Sequence, residues 1–120
     1  MDLEFLPYDF TVCKTEKPAD ATGPFWFSAK TDSENSLVCV REFVPSHTLA
    51  REDGWKAFRI CGKLDFALVG ILAKLTDILA QNGIAVFAVS TFDTDTVLVQ
   101  EKDALRTKMI LTDAGYTFRR

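Results

Sequence analysis

The apolar positions change period along the chain. Leu68, Ile71, Leu72, Leu75, Ile78 and Leu79 recur at three and four, with Lys74, Asp77 and Gln81 opposite. That is the spacing of an amphipathic helix, and Asn82-Gly83 supplies a left-handed stop. Before it, Trp55 to Cys61 alternates as a strand, with Phe58 and Ile60 on one face and Trp55, Ala57, Arg59 and Cys61 on the other. After it, Ile84 to Val89 is apolar on both alternating faces, which predicts a central strand covered on two sides. Thr96 to Val99 predicts its antiparallel return, Lys102 to Asp113 a weaker helix ended by Gly115, and Tyr116 to Phe118 a last short strand. The order βαββαβ is that of an α+β, ferredoxin-like split unit. Helices cover one face of such a sheet, so the second face of Ile84 to Val89 is expected to meet another sheet, helix or subunit.

The earlier half carries strand patterns at Asp9 to Thr15, Phe25 to Lys30 and Leu37 to Glu42. Thr31-Asp32-Ser33-Glu34 has the spacing of a capping box and predicts a tight turn between the last two. These patterns also repeat. Gly23 to Thr31 aligns with Gly83 to Thr91, and Leu37-Val38-Cys39 with Val97-Leu98-Val99, each sixty positions on. The first copy is shorter, because Cys13 to Gly23 spans ten positions against twenty-two from Cys61 to Gly83. Most of its first helix is therefore expected to be lost. Pro45 to Gly54, polar and holding Pro, Ser, Asp and Gly, reads as a linker. The expected organisation is a shortened repeat over residues 1–50 and a complete unit over 54–120.

Composition narrows the function. The chain has 120 residues, 48% hydrophobic and 26% charged, enough for a packed core and too apolar for disorder. Net charge is -3 and the basic residues are scattered apart from Arg119-Arg120, which argues against nucleic acid as a partner. No positive flank precedes an apolar leader and no apolar run approaches about 20 residues, so a cytoplasmic protein without membrane contact is expected. Cys13, Cys39 and Cys61 each fall in an apolar run and read as small buried hydrophobes rather than a bridge or cluster. With His47 as the single histidine, no metal triad or Cys-His pair suggests itself, so neither catalytic residues nor a metal or cofactor are assigned.

Polar chemistry concentrates at Ser90-Thr91-Phe92-Asp93-Thr94-Asp95, where apolar chain turns back on itself. Asp93 or Asp95 could hold an ammonium or guanidinium, while the start of the following helix pattern at Leu68 offers free N–H groups to a carboxylate. Each residue also has a structural reading. Asp65 suits an N-cap, Asp93-Thr94 suits an Asx turn, Gly70 suits close packing at a helix start, and Trp26 and Trp55 suit core or interface. Acylphosphatase chemistry, which also occurs on ferredoxin-like folds, needs an arginine-bearing phosphate loop, and Gly62-Lys63-Leu64-Asp65-Phe66 is not one.

Gly62 to Ala73, followed by Asn82 to Asp95, resembles the ACT family and more closely the small paired ACT proteins related to the CASTOR arginine sensors. The Asp-Phe-x-x-x-Gly-Ile and Ser-Thr-Phe-Asp-Thr-Asp segments carry the resemblance, which runs from about Asp9 to Gly115. The second segment is also similar to the Ser-Thr-Ser-Glu stretch of aspartokinase regulatory regions. The resemblance implies a non-catalytic regulatory or sensor protein, a homodimer, that binds a small ligand, most simply an amino acid. It places the ligand between Leu64, Asp65, Phe66, Ala67, Leu68 and Val69 on one side and Ser90, Thr91, Asp93 and Asp95 on the other. The alternative is an interaction or dimerisation module with no small-molecule ligand.

Overall fold

A computed structural model describes residues 1–65 and 69–119. In chain order its elements are strands β1 (Asp2–Phe5), β2 (Phe10–Thr15), β3 (Trp26–Lys30), β4 (Asn35–Val40) and β5 (Ala50–Ile60), helix α1 (Ile71–Gln81), strands β6 (Val86–Ser90) and β7 (Asp95–Gln100), helix α2 (Ala104–Asp113) and strand β8 (Thr117–Arg119). Single 3-10 turns, Arg41–Phe43 and Glu101–Asp103, follow β4 and β7. The chain divides into two units, one of Met1–Pro7 with the chain from Lys56, the other Tyr8–Trp55. The division falls inside β5, whose first half pairs in one unit and second half in the other. No helix among the described residues is long and apolar enough to cross a membrane.

In the unit from Lys56 the elements β5-α1-β6-β7-α2-β8 follow the expected βαββαβ order, giving a mixed α+β, ferredoxin-like fold. The pairing order is β6-β7-β5-β1-β8. The first and last strands of the βαββαβ unit are separated by β1, which runs antiparallel to β5 and parallel to β8. Alternation explains its place. Leu3 is fully buried in the core, while Glu4 accepts from Arg59 at 3.1 Å and Asp2 from Arg119 at 3.2 Å. Leu3, Phe58, Ile60, Val97 and Val99 from the strands pack with Leu75 and Leu79 of α1 and Leu111 of α2. The helix period read from the sequence is thus the period of burial.

In the unit Tyr8–Trp55 the order is β3-β4-β2-β5, all antiparallel. Cys13, Leu37 and Cys39 form one buried cluster, covered by Ala19, Ala21 and Val44 from loops. Burial of both thiols pushes their pKa up, that of Cys39 to about 11. Between the pairs Phe10↔Trp55 and Val12↔Glu52, β5 carries one extra residue, and Gly54 takes φ +86° in that bulge. The kink brings Asp53 to Thr11, whose hydroxyl donates at 2.6 Å, and Arg51 donates at 2.8 Å. These two hydrogen bonds hold the Asp53 carboxyl below its ordinary pKa.

Five expectations need correction. The linker Pro45 to Gly54 is in part strand, since Ala50–Gly54 belong to β5. The first strand, Asp2–Phe5, lies before the one read at Asp9. Cys61 follows β5 rather than lying within it and is half-buried. Of the core and interface readings of the tryptophans, core fails for Trp26, which is 45% exposed, and holds for Trp55, which is buried. The strand read at Ile84 to Val89 is not central: among the described residues β6 pairs with β7 alone and is at most half-buried from Val86 to Ser90, whereas β7 is buried from Thr96 to Val99. Double-faced apolarity there belongs to an edge strand of this chain's sheet rather than to a central one.

Candidate functional site

The β6-β7 hairpin is built by its own hydroxyls. Ser90 and Asp95 pair across its base, and Thr91 closes the four-residue turn by donating both its N–H and its Oγ1 to the Thr94 carbonyl at 2.9 Å. Thr94 Oγ1 in turn donates to the Ile60 carbonyl at 2.7 Å, tying the turn to the end of β5. The Leu64 N–H donates to the Asp93 carbonyl at 2.7 Å and lays the β5-α1 loop against the same turn. Two threonines and one backbone bond therefore fix turn and loop together.

Helix α1 begins at Ile71, three residues later than the sequence reading, because Gly70 enters it with φ +80°. That left-handed angle is what the position asks of glycine, since a Cβ there would meet no atom within 4 Å. Close packing is not its role. Asp65 is not the N-cap residue either, for Gly70, which has no side chain, holds that position. No acidic residue lies in the first turn. The first N–H groups of an α-helix have no partner within it, and at α1 the cap residue offers no side-chain acceptor to them.

Between loop, helix start and turn lies a hollow of about 340 Å³. Leu64, Asp65, Ser90, Thr91, Asp93 and Asp95 all line it, joined by Phe92, Thr94 and Gly70 to Ala73. Val69 is 89% exposed and lines an adjoining hollow with Met1, Lys74 and Tyr116 instead. Phe66, Ala67 and Leu68 lie outside the described residues. Phe92 and Thr94 stand within the Ser90 to Asp95 segment but are not among the site residues singled out from the sequence; the hydroxyl of Thr94 is the signal that could have added it.

Three aspartates line this hollow and, among the described residues, no lysine, arginine or histidine does. The side chains of Asp93 and Asp95 make no hydrogen bond or ion pair among the described residues. The Asx-turn reading of Asp93 is therefore replaced: Thr91 closes the turn, and the Asp93 carboxylate is left over. The arrangement offers negative charge on the turn and a helix start rich in donors facing it, which suits binding a molecule with separate cationic and anionic ends. Among the described residues, no group of three or more His, Cys, Asp or Glu is placed to hold a metal ion.

Residues 50–113, from the start of β5 to the end of α2, match the ACT domain. The chain belongs to the ACT domain family. Its ACT unit carries the whole hollow. Among solved structures, protein Atu0741 from Agobacterium tumefaciens is 30% identical, with a TM-score of 0.89 over 98% of this chain and 91% of that one. A protein of unknown function from Vibrio cholerae, VC0802, is 15% identical with a TM-score of 0.70, covering 98% and 88%. The regulatory subunit of aspartate kinase from Thermus thermophilus shares the fold at 8% identity, with a TM-score of 0.65 over 94% and 96%. No curated protein sequence matches.

Proposed function

We propose that this ACT protein is a non-catalytic regulator that binds an amino acid in the hollow between the β5-α1 loop and the β6-β7 turn. The observation that carries this reading is the pair of carboxylates, Asp93 and Asp95, left without partners beside an uncapped helix start. The start of α1 receives the ligand carboxylate, and the aspartates receive its cationic groups. With three acidic residues and no basic one lining the site, an amino acid with a cationic side chain is favoured over a neutral one, and an acidic one is repelled. The volume of about 340 Å³ suits such a ligand. The same proposal takes in kinship with the CASTOR arginine sensors and a cytoplasmic setting.

The same reading makes Tyr8–Trp55 a degenerate second ACT copy. Support comes from the spacing: β3 and β6, β4 and β7, and the two 3-10 turns each begin sixty positions apart. We further read the protein as a homodimer, with β6 as the contact, since it is an edge strand whose Val86, Phe87 and Val89 are only half-buried. That open edge is also what would favour the second reading, an interaction module without ligand.

Thermal unfolding with L-lysine, L-arginine, L-leucine and L-glutamate tests the proposal. A cationic amino acid at 100 times its Kd adds about 2.7 kcal/mol of stability. Asp93→Asn and Asp95→Asn should each weaken binding about tenfold to a hundredfold, as expected when a charge-assisted hydrogen bond is lost. Stabilisation by none of the four, or by glutamate alone, would sink the site, and an unchanged Kd in both variants would remove the cation anchor.

A further inference from the structure

Two exposed patches of the ACT unit complement each other. The first is the tip of the β6-β7 hairpin, where Phe92 is 79% exposed and is followed by Asp93 and Asp95. The second is the outer face of α2. Thr107 and Leu111 form its buried side, so Leu105 and Met109, one helical turn apart and 71% and 60% exposed, make an apolar stripe toward solvent. Lys102 and Lys108 stand three residues before and three after Leu105, both exposed and without an ion pair among the described residues. Arg106 is engaged by Asp103 and by the Asn82 carbonyl, and Glu101 and Asp113 lie one turn beyond the two ends of the stripe.

That order of charges, acidic at the ends and basic in the middle, decides what fits. An acidic helix laid along α2 would set its charges against Glu101 and Asp113 as well as against the lysines. A second α2 brings the same two lysines to the same stripe. A compact tip suits the middle alone: one apolar side chain with its carboxylates within three residues, as Phe92, Asp93 and Asp95 are. Phe92 against Met109 adds a sulfur–aromatic contact. The tip does not reach the α2 of its own chain, since Thr94 is tied to Ile60 and Asp93 to Leu64, while the stripe lies on the side of α2 away from the core that Leu111 enters.

We infer that the β6-β7 tip of one copy docks on the α2 stripe of another, with Phe92 between Leu105 and Met109 and with Asp93 and Asp95 toward Lys102 and Lys108. The contact joins two different patches and is head-to-tail, unlike a pairing of β6 with itself. One aromatic tip on a two-residue stripe buries less than the roughly 1,200 Å² of a stable complex, which makes the association transient. It needs no ligand in the hollow.

The test is a dilution series of the full chain, free of amino acids, read by two-dimensional amide NMR from about 0.05 to 2 mM, a range that brackets a sub-millimolar Kd. Amides of Thr91 to Thr94 and of Leu105 to Thr112 should move together with concentration, and salt at about 0.5 M should reduce the movement. Lys102→Glu with Lys108→Glu, and separately Asp93→Lys with Asp95→Lys, should each weaken association about tenfold or more. Mixing the two variants should restore it, because each tip then meets a stripe of opposite charge. Phe92→Ser keeps both charge sets and should also weaken association, which decides the matter with the lysine variant if the aspartate variant does not fold. Amides that stay still across the series, folded variants that fail to restore association when mixed, or Phe92→Ser without effect would overturn the contact. Movement confined to Val86 to Val89 would likewise overturn it and leave β6 pairing in its place.

Discussion

The ACT unit and the unit Tyr8–Trp55 pair their strands alike and are covered differently. The order β6-β7-β5 in one matches β3-β4-β2 in the other, with hairpins closed by Thr91 and Thr31. Over the first, α1 and α2 bring Leu75, Leu79 and Leu111 into the core. Over the second, loops bring Ala19, Ala21 and Val44 to a cluster of Cys13, Leu37 and Cys39. Strand pairing needs only the local ladder, while the size of the core follows what lies on top. The same ladder order thus stands under helices in one unit and under loop residues in the other.

Truncating a core leucine should break the likeness most strongly. Leu75→Ala, beneath α1, should cost about 2–5 kcal/mol in urea unfolding, because helices and sheet relax only partly around the void. Leu37→Ala should fall at the lower end of that range, since its cover is loop. Equal losses would show that the loops pack as rigidly as the helices.

The paired glycines sharpen the contrast next. Gly83 and Gly23 stand sixty apart, with φ +71° and +102°. Gly83→Ala adds only left-handed strain, about 1–2 kcal/mol, as nothing lies within 4 Å of its Cβ. Gly23→Ala adds the same strain and places its Cβ 2.8 Å from the Phe43 ring, so it should cost more. Equal melting shifts would mean that Phe43 yields freely.

The smallest effect separates the thiols. With Cys13 and Cys39 raised in the folded state, their contribution to stability is complete below the ordinary thiol pKa of 9.0. It is lost as pH climbs toward about 11, because the unfolded chain releases those protons first. Unfolding midpoints from pH 8 upward should therefore decline, and Cys13→Ala with Cys39→Ala should flatten the slope. In native buffer a disulfide reagent should modify half-buried Cys61 before the other two.

Much of the candidate site could be read from residues alone. Hydroxyls and carboxylates where two apolar runs turn mark the Ser90 to Asp95 segment, the family resemblance adds Leu64-Asp65, and the fold brings all eight positions to one hollow. The start of α1 was misplaced because apolar spacing extends back to Leu68, while the helix is set by the left-handed angle at Gly70. The turn closure was assigned to Asp93, since aspartate and threonine both favour such bonds, and only geometry distinguishes the one that made them.

By itself the sequence determined the βαββαβ order and the echo at sixty positions, because period and turn chemistry are local properties. Tertiary structure alone decided that β1 enters between β5 and β8, that β6 is an edge while β7 is buried, and that Asp93 and Asp95 face a hollow without partners. Those facts depend on which strand pairs with which across long stretches of chain. An apolar residue has the same period whether a neighbour covers it or not.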